Sequence, residues 1–431
     1  MSWENNYKNK IVSADEAVKI IKSGDRVLIG HATGEPSVLV EALVKRAPEL
    51  RNVELMHMVC MGKARYCQED MKDSFAYSGP FLGNGTREAV ASGRADYWPC
   101  FMHEIPKMIT TRKIMDVALI MVSPPDEKGE CSFGVSVDYT ESAARTPQTK
   151  IILQVNNRMP YTYGTTINLN RAHYIVKADQ EVIELPDPKI SEVEEKIGRN
   201  IAALVNDGDT IQMGIGSMPD AVLNFLGDRK HLGVHSELVS DGMRKLAEKG
   251  VIDNSRKTLH QGKFVANFFM GTRKLYDFID KNKDILAKPC DYTNDPFVIA
   301  QNDNMVAINA TMQVDLYGQM NSNSIGVYQY SGVGGQVDFI RGTNASKGGR
   351  SIIALPSTAK GGSISKIVCF LDYGSAVTTS RYDSRFIVTE YGAVDLFGLN
   401  LRQRVKALIS IAHPAFREQL EKEAWEKKML R

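Results

Sequence analysis

The chain has 431 residues, of which 43% are hydrophobic and 24% are charged, and its formal net charge is +2. This length exceeds what one ordinary hydrophobic core organises, so we expect two domains. The near-neutral charge argues against nucleic acid as the main partner. The apolar run at residues 117–122 is far shorter than the roughly 20 residues of a membrane-spanning helix, which argues against a membrane protein.

Targeting and metal-binding signals are weak in this sequence. Residues 1–6 lack the apolar core of a signal peptide, which favours a cytoplasmic location. The histidines His57, His103 and His260 show no metal-binding spacing, so we interpret them as hydrogen-bonded structural residues and expect no metal. No C-x-x-C pair occurs, which indicates reduced thiols rather than disulfides or structural zinc. The six cysteines are Cys60, Cys67, Cys100, Cys131, Cys290 and Cys369.

The sequence repeats itself once, because residues 23–30 match residues 207–214 at an offset of 184. An amphipathic helix is predicted before each copy, and each helix opens with a capping box. The capping pairs are Ser13 with Glu16 and Ser191 with Glu194.

Each copy is followed by a turn that ends in a proline, Pro36 or Pro219, and then by another helix. A further strand follows in each half, at residues 53–58 and 232–238. Such tandem units predict an α/β fold with two similar open domains and mostly parallel sheets.

Two prolines in residues 185–188 place the domain boundary there. The predicted domains are residues 1–185 and residues 186–431, and the second carries the candidate nucleophile. Ligands of open α/β sheets bind beyond the carboxyl ends of the strands, so the site is expected there.

Glycine-rich segments are frequent in the second half. Residues 331–339 are predicted to form a turn leading into a strand, and residues 358–363 a turn between strands at 351–355 and 364–370. A strand at 386–389 delivers Glu390, and a charged amphipathic helix from Ala415 to about Leu430 closes the chain.

The most informative residue is Glu237, which lies 23 positions after the start of the turn at residues 214–219. A carboxylate at a strand end beside backbone N–H groups at a helix start suggests covalent catalysis on an activated acyl group. The alternative for the turn is a dinucleotide-binding G-x-G, but Pro219 occupies the place of its third glycine. No phosphate loop of the G-x-x-x-x-G-K-[ST] type is present, which disfavours an ATP-driven ligase.

Several linked motifs resemble the acetyl-CoA hydrolase/transferase family, among the family I CoA-transferases, with the strongest likeness to 4-hydroxybutyrate and butyrate CoA-transferases. The resemblance covers almost the whole chain. The motifs lie at residues 123–126, 214–219, 235–237, 240–242, 332–339, 389–392 and 411–414.

The resemblance implies that Glu237 is the nucleophile and forms a glutamyl-CoA thioester, with Glu390 as a second catalytic residue. Glu390 orients either Glu237 or the entering carboxylate, or it is only an ion-pair partner. Lys360 pairs either with a phosphate of coenzyme A or with the acyl oxygen. The positions implied to contact coenzyme A are Gly214, Ile215, Gly216, Ser217, Met218, Asn294, Gly335 and Lys360.

The expected reaction transfers coenzyme A from acetyl-CoA to 4-hydroxybutyrate by a ping-pong mechanism, with butyrate as the alternative acid. Coenzyme A is then a substrate, with no permanently bound cofactor, and a homodimer or larger homo-oligomer is expected. An acyl-CoA hydrolase and a non-catalytic CoA-binding protein are the competing interpretations. His31, in the first copy of the turn, either faces the active site or only caps a helix, and the pair Ser217–Met218 departs from many relatives, which affects the acyl pocket.

Overall fold

The structure, a computed structural model, describes residues 3–214 and 216–430. The chain divides into two compact units, and each is drawn from separate stretches of sequence. The first unit contains Met1–Pro186, Val265–Thr293 and Gln329–Gly334; the second contains Asp187–Phe264, Asn294–Tyr328 and Gly335–Arg431. The domain boundary expected after residue 185 stays a prediction.

The first unit is built on a seven-stranded sheet whose strands all pair in parallel. Its order is β4-β3-β2-β1-β5-β6-β7. The strands are β1 (Arg26–Ile29), β2 (Val53–Met56), β3 (Phe75–Gly79), β4 (Asp96–Tyr97), β5 (Val117–Val122), β6 (Lys150–Asn156) and β7 (Tyr174–Ala178).

The second unit contains a sheet in which β9, β8, β10, β11, β12 and β13 follow one another, and only the last pair is antiparallel. The strands are β8 (Thr210–Met213), β9 (Gly233–Val239), β10 (Met305–Ala310), β11 (Arg350–Ala354), β12 (Phe386–Thr389) and β13 (Gly392–Asp395). Strands β1 and β8 occupy the same positions of the sequence repeat, which confirms the predicted pair of similar, mostly parallel α/β sheets.

Helices follow or precede most of these strands, as the α/β pattern requires. In the first unit they are α1 (Trp3–Asn6), α2 (Ala14–Ala17), α3 (Ser37–Lys45), α4 (Arg87–Ala91), α5 (Ile105–Thr111), α6 (Thr140–Arg145), α10 (Arg273–Ile279) and α11 (Cys290–Thr293). In the second they are α7 (Glu192–Ala202), α8 (Ser217–Asn224), α9 (Asp241–Glu248), α12 (Pro296–Ile299), α13 (Gln336–Ala345), α14 (Leu401–Ser410) and α15 (Pro414–Glu426).

The chain has further strands, which are two or three residues long except for Phe264–Phe269. They are Glu130–Ser132, Thr166–Asn168, Phe264–Phe269, Ile285–Ala287, Gln313–Asp315, Met320–Asn321, Ser324–Ile325, Tyr328–Gln329, Thr358–Ala359, Ile364–Ser365 and Ile367–Val368. The run at 364–370, predicted as one strand, is therefore two two-residue strands.

Helix α7 shows how local sequence sets an element. Ser191 accepts a hydrogen bond from the backbone of Glu194, whose carboxylate in turn accepts the backbone N–H of Ser191, so the predicted capping box is present. Ile197 and Ile201 are fully buried on one face of the helix. The equivalent N-cap bond at Ser13 is also present, but α2 is only one turn long before it tightens into a 3₁₀ turn at Val18–Ile20.

The strand predicted within residues 331–339 is wrong, because Gly335 caps helix α13 instead. The apparent alternation of polar and apolar residues carries no information here, since Gln336 and Asp338 are as buried as Val337, Phe339 and Ile340. The terminal helix also starts one residue earlier and ends sooner than predicted, at Pro414–Glu426.

The second unit contains a buried lysine, Lys257, which bonds to the backbone of strand β9. The Nζ of Lys257 donates to the carbonyls of Val234, at 2.7 Å, and Lys263, at 2.6 Å. Burial lowers the pKa of Lys257 to about 7. A neutral amine has two N–H donors, so the two carbonyls can accept every hydrogen bond that a neutral Lys257 can donate.

Among the described residues, no helix is both long and apolar enough to cross a membrane.

Candidate active site

The predicted turn follows the end of β8, whereas the predicted nucleophile, Glu237, lies within the neighbouring strand β9, two residues before its last residue, Val239, and not at the strand end as predicted. Strands β8 and β9 are parallel, and Thr210 pairs with Gly233 while Ile211 pairs with Val234, an offset of 23 residues. Hydrogen bonds of 3.4 Å between the backbone of Met213 and the hydroxyl of Ser236 are consistent with that register. The same offset places Gly214 opposite Glu237.

Asn294 and Gly335 hold the carboxylate of Glu237. The Nδ2 of Asn294, a fully buried residue, donates to the Oε2 of Glu237 at 2.9 Å. A Cβ added to Gly335 would lie 1.9 Å from that oxygen and 2.4 Å from the Asn294 amide nitrogen. Gly335 has a φ of −90°, so the position requires glycine for space rather than for backbone freedom.

The turn before α8 presents backbone groups. Gly216 has a φ of +116° and precedes Ser217 and Met218, the first residues of α8, whose N–H groups lack the carbonyl partners that interior helix residues have. A Cβ added to Gly214 or Gly216 would meet nothing within 4 Å, so the backbone here is open to approach. Ile215 lies outside the described residues.

The hydroxyl of Ser217 is engaged by α7, because it donates to the carboxylate of Glu194. Burial raises the pKa of Glu194, but hydrogen bonds from Ser217 and Ser191 outweigh it and hold this pKa below its usual value. The side chain of Ser217 therefore joins the turn to the capping box of α7, and what it offers a ligand is its backbone N–H.

Glu390 and Lys360 lie on other segments of the same unit. Glu390 follows β12. Its carboxylate accepts two hydrogen bonds from Ser357, one from the backbone N–H at 2.9 Å and one from the hydroxyl at 2.6 Å. Burial lowers the pKa of nearby Lys366, and the charge of Glu390 partly opposes that shift. Lys360 is exposed, in a 3₁₀ turn at Lys360–Gly362.

His31 occupies the N-cap position of the 3₁₀ turn at Ala32–Gly34, but its side chain makes no capping hydrogen bond there, so capping is not what the imidazole does. The ring is buried, and its Nδ1 lies 3.2 Å from the carboxylate of Asp138. Burial raises the pKa of Asp138, but the neighbouring His31 and the hydroxyl of Ser136 lower it by more, so the pKa lies below its usual value.

Sequence patterns did not indicate Ser357 or Asp138. Both act on a carboxylate or imidazole far away in the chain, and neither belongs to a recognisable motif. The available signal for Ser357 was a polar residue shortly after a buried strand, since it lies three residues beyond the end of β11.

Comparison with known proteins assigns both halves of the chain. Residues 1–185 match the acetyl-CoA hydrolase/transferase N-terminal domain, and residues 271–424 match the acetyl-CoA hydrolase/transferase C-terminal domain. The chain is 53% identical to a 4-hydroxybutyrate coenzyme A transferase of Clostridium kluyveri, over 97% of this chain and 98% of the relative. It is 43% identical to a succinyl-CoA:cyclohexane-1-carboxylate CoA transferase of Geobacter metallireducens, over 97% and 96%.

A solved structure shares the complete fold. The crystal structure of RipA from Yersinia pestis superposes with a TM-score of 0.95 at 36% identity and covers 100% of both chains.

Proposed function

Because the chain belongs to the acetyl-CoA hydrolase/transferase family, we propose that it transfers coenzyme A from a short-chain acyl-CoA to 4-hydroxybutyrate, with Glu237 as the nucleophile. The relative from Clostridium kluyveri supports the choice of acid through its name. One structural observation carries the mechanism: Asn294 bonds the Glu237 carboxylate, and Gly335 leaves it room that any Cβ would remove.

The reaction conserves the energy of the thioester by moving it onto the enzyme. The Glu237 carboxylate attacks the acyl-CoA carbonyl, the C–S bond breaks, and a mixed anhydride and the CoA thiolate result. The thiolate then attacks the glutamyl carbonyl and expels the first acid as its carboxylate. The second acid reverses both steps and leaves as the new acyl-CoA, so ping-pong kinetics follow.

Asn294 has a specific role in this sequence. Its amide donates to the Oε2 of Glu237. One carboxylate oxygen of Glu237 attacks the acyl-CoA, and the other becomes the carbonyl oxygen of the glutamyl group. If Oε2 is the carbonyl oxygen, negative charge develops on it when the thiolate attacks. A donor already in place stabilises that charge, and the loss of one such donor typically costs about 2.7–4 kcal/mol.

The second carbonyl in the reaction is that of the acyl-CoA, and the turn before α8 is the candidate to bind it. The N–H groups at the start of α8 follow the end of β8, the strand that neighbours the one carrying Glu237, and they lack intrahelical acceptors. We assign them to the acyl oxygen of the acyl-CoA. Glu390, fixed by Ser357, is assigned to the entering carboxylic acid, which must be held in its reactive orientation.

Trapping of the covalent intermediate tests the nucleophile. The protein is incubated with acetyl-CoA and then with borohydride, and the peptide containing Glu237 is examined by mass spectrometry. A glutamyl thioester is reduced to the alcohol, which has one oxygen fewer and two hydrogens more. We expect this change at Glu237 only when acetyl-CoA is present; an active enzyme with unmodified Glu237 contradicts the proposal.

Paired variants separate the nucleophile from a general effect of charge. Glu237→Gln keeps the shape of the side chain but removes the nucleophilic carboxylate, so transfer is expected to be abolished. Glu421→Gln makes the same chemical change on the exposed face of α15 and is expected to retain transfer. Full transfer by Glu237→Gln would remove Glu237 from the mechanism.

The acceptor is tested by comparing 4-hydroxybutyrate with butyrate at matched concentrations. The two acids differ by one hydroxyl, and a pocket that hydrogen-bonds this group discriminates strongly against its absence. We expect faster transfer to 4-hydroxybutyrate; equal rates contradict the hydroxy-acid preference. Release of free CoA without any acceptor, at a rate matching transfer, would instead identify a hydrolase.

A further inference from the structure

Three side chains of types that bind metal ions meet in the first unit, in the copy of the repeat that lacks the candidate nucleophile. The carboxylate of Glu35, the imidazole of His57 and the thiol of Cys60 offer ligand atoms that all lie within 4.8 Å of one another. The Oε2 of Glu35 lies 3.8 Å from the Sγ of Cys60 and 3.9 Å from the Nε2 of His57. Oxygen, nitrogen and sulfur donors of these three types are the ligands that zinc uses in proteins.

The imidazole of His57 has one ring nitrogen, Nε2, that can bind a metal ion. Its ring is fully buried, and its Nε2 makes no well-formed hydrogen bond among the described residues, although the backbone of Gly30 lies near the ring. An unsatisfied buried polar atom is costly, so its retention needs a reason. The other ring nitrogen, Nδ1, lies 2.7 Å from the hydroxyl of Tyr66. Metal-binding histidines are commonly oriented by such a second bond at the far nitrogen.

The carboxylate of Glu35 is held in place by backbone hydrogen bonds. It is buried, and its Oε2 accepts the backbone N–H of Gly62 at 2.8 Å and that of Met61 at 3.2 Å. A Cβ on Gly62 would lie 2.3 Å from the other carboxylate oxygen, so the loop packs directly on the carboxylate. Cys60 begins this loop and is partly exposed, which leaves a path for an ion to enter.

We propose that Glu35, His57 and Cys60 bind one divalent transition-metal ion of the zinc class. Bonds of about 2.0–2.3 Å at tetrahedral angles separate ligand atoms by roughly 3.3–3.6 Å. The two separations from the Oε2 of Glu35, 3.8 and 3.9 Å, therefore need to shorten by only a few tenths of an ångström. The Cys60–His57 pair lies within 4.8 Å and closes by up to about 1.2–1.5 Å when the Cys60 side chain moves toward the ion. On binding, the Cys60 thiol gives its proton to solvent, and three protein ligands leave a fourth position for water or another oxygen ligand. This site does not depend on the proposed transfer reaction.

Cobalt(II) provides the most direct test, because it takes the same ligands as zinc and reports them by absorption. The full-length protein is stripped of metal with a chelator and titrated with cobalt(II). We expect saturation at one ion per chain, visible bands typical of tetrahedral cobalt and a near-ultraviolet band from sulfur-to-cobalt charge transfer. Addition of zinc should abolish all of these bands. If the wild-type protein shows no saturable band, the proposal is wrong.

Four variants assign the ligands. Cys60→Ser should lose the sulfur-to-cobalt band, while Cys67→Ser, which removes a buried thiol elsewhere in the same unit, should keep it. His57→Gln should weaken cobalt binding at least tenfold. Because His57→Gln leaves a buried cavity and can fail to fold, Tyr66→Phe supplies a milder change; it removes only the orienting hydroxyl and should weaken binding about 10- to 100-fold. A charge-transfer band that persists in Cys60→Ser, or Tyr66→Phe with wild-type affinity, would overturn the assignment.

Discussion

Gly335→Ala is the most searching test of the Glu237 site, because it adds one methyl group and removes nothing. The φ of −90° at this position is accessible to alanine, so the backbone has no reason to change. The new Cβ would start 1.9 Å from the Oε2 of Glu237. Ordinary contact begins near 3.4 Å, so the carboxylate must retreat by about 1.5 Å or the loop must move by as much.

The magnitude follows from that displacement. A misplacement of about 1 Å in a reacting group can lower the rate about 100-fold, which corresponds to about 2.7 kcal/mol in the activation free energy. We therefore expect kcat for acetyl-CoA-dependent transfer to fall at least about 100-fold. The free energy of unfolding should fall by about 1–3 kcal/mol, because the added Cβ overpacks a buried contact and alanine is a poorer N-cap than glycine.

The assay measures transfer to 4-hydroxybutyrate by the appearance of the new acyl-CoA, together with a urea unfolding curve. Gly227→Ala is the matched control, because its added Cβ meets nothing within 4 Å and the residue lies in the same unit. A Gly335→Ala protein that is folded and retains a rate within threefold of wild type would refute the claim that this carboxylate must stay where the structure places it.

Three further predictions follow from the same unit. Asn294→Ala should lower kcat by about 10²–10³ without preventing borohydride trapping at long incubation, because it removes a donor and not the nucleophile; unchanged single-turnover kinetics would contradict this. Glu390→Gln should leave trapping of Glu237 by acetyl-CoA intact but slow the discharge of the intermediate to the second acid more than tenfold; loss of trapping would instead mean that Glu390 orients Glu237. Lys257→Met should lack a pH dependence of stability that the wild-type protein has. Between about pH 7, the folded pKa of Lys257, and 10.5, the usual pKa of an exposed lysine, the unfolded wild-type chain binds a proton that the folded chain does not. Wild-type stability relative to Lys257→Met should thus rise by a few kcal/mol across that window in urea melts, and a flat difference would show that the lysine stays charged when folded.

Much of the fold could be predicted because its periodic signals are local. The strand at Phe386–Thr389 was predicted with its observed bounds, and the repeat at an offset of 184 identified β1 and β8 together. The error at residues 331–339 has a physical cause. Helix α13 is buried on nearly all sides of its first turns, so its polar residues do not mark a solvent face and its period cannot be read.

The site could be predicted only in part. The 23 residues between Gly214 and Glu237 equal the register offset of β8 and β9, so this neighbourhood follows from strand pairing. Asn294 lies 57 residues beyond Glu237, and no local pattern connects the two. It and Gly335 were available only through the family resemblance, because side chains that meet across several loops leave no periodic trace in the sequence.

The internal repeat gives the two candidate sites a common origin in the fold. In the first unit β1 pairs with β2 at an offset of 28 residues, since Arg26 pairs with Glu54. Gly30, the counterpart of Gly214, therefore lies opposite Met58, and His57 takes the place that Ser236 holds beside the nucleophile. The carboxyl ends of parallel strands are where open α/β sheets bind ligands, so duplication supplies two such edges. With methionine at the position of Glu237, the first edge lacks the carboxylate that covalent catalysis requires, and it carries the Glu35, His57 and Cys60 cluster instead.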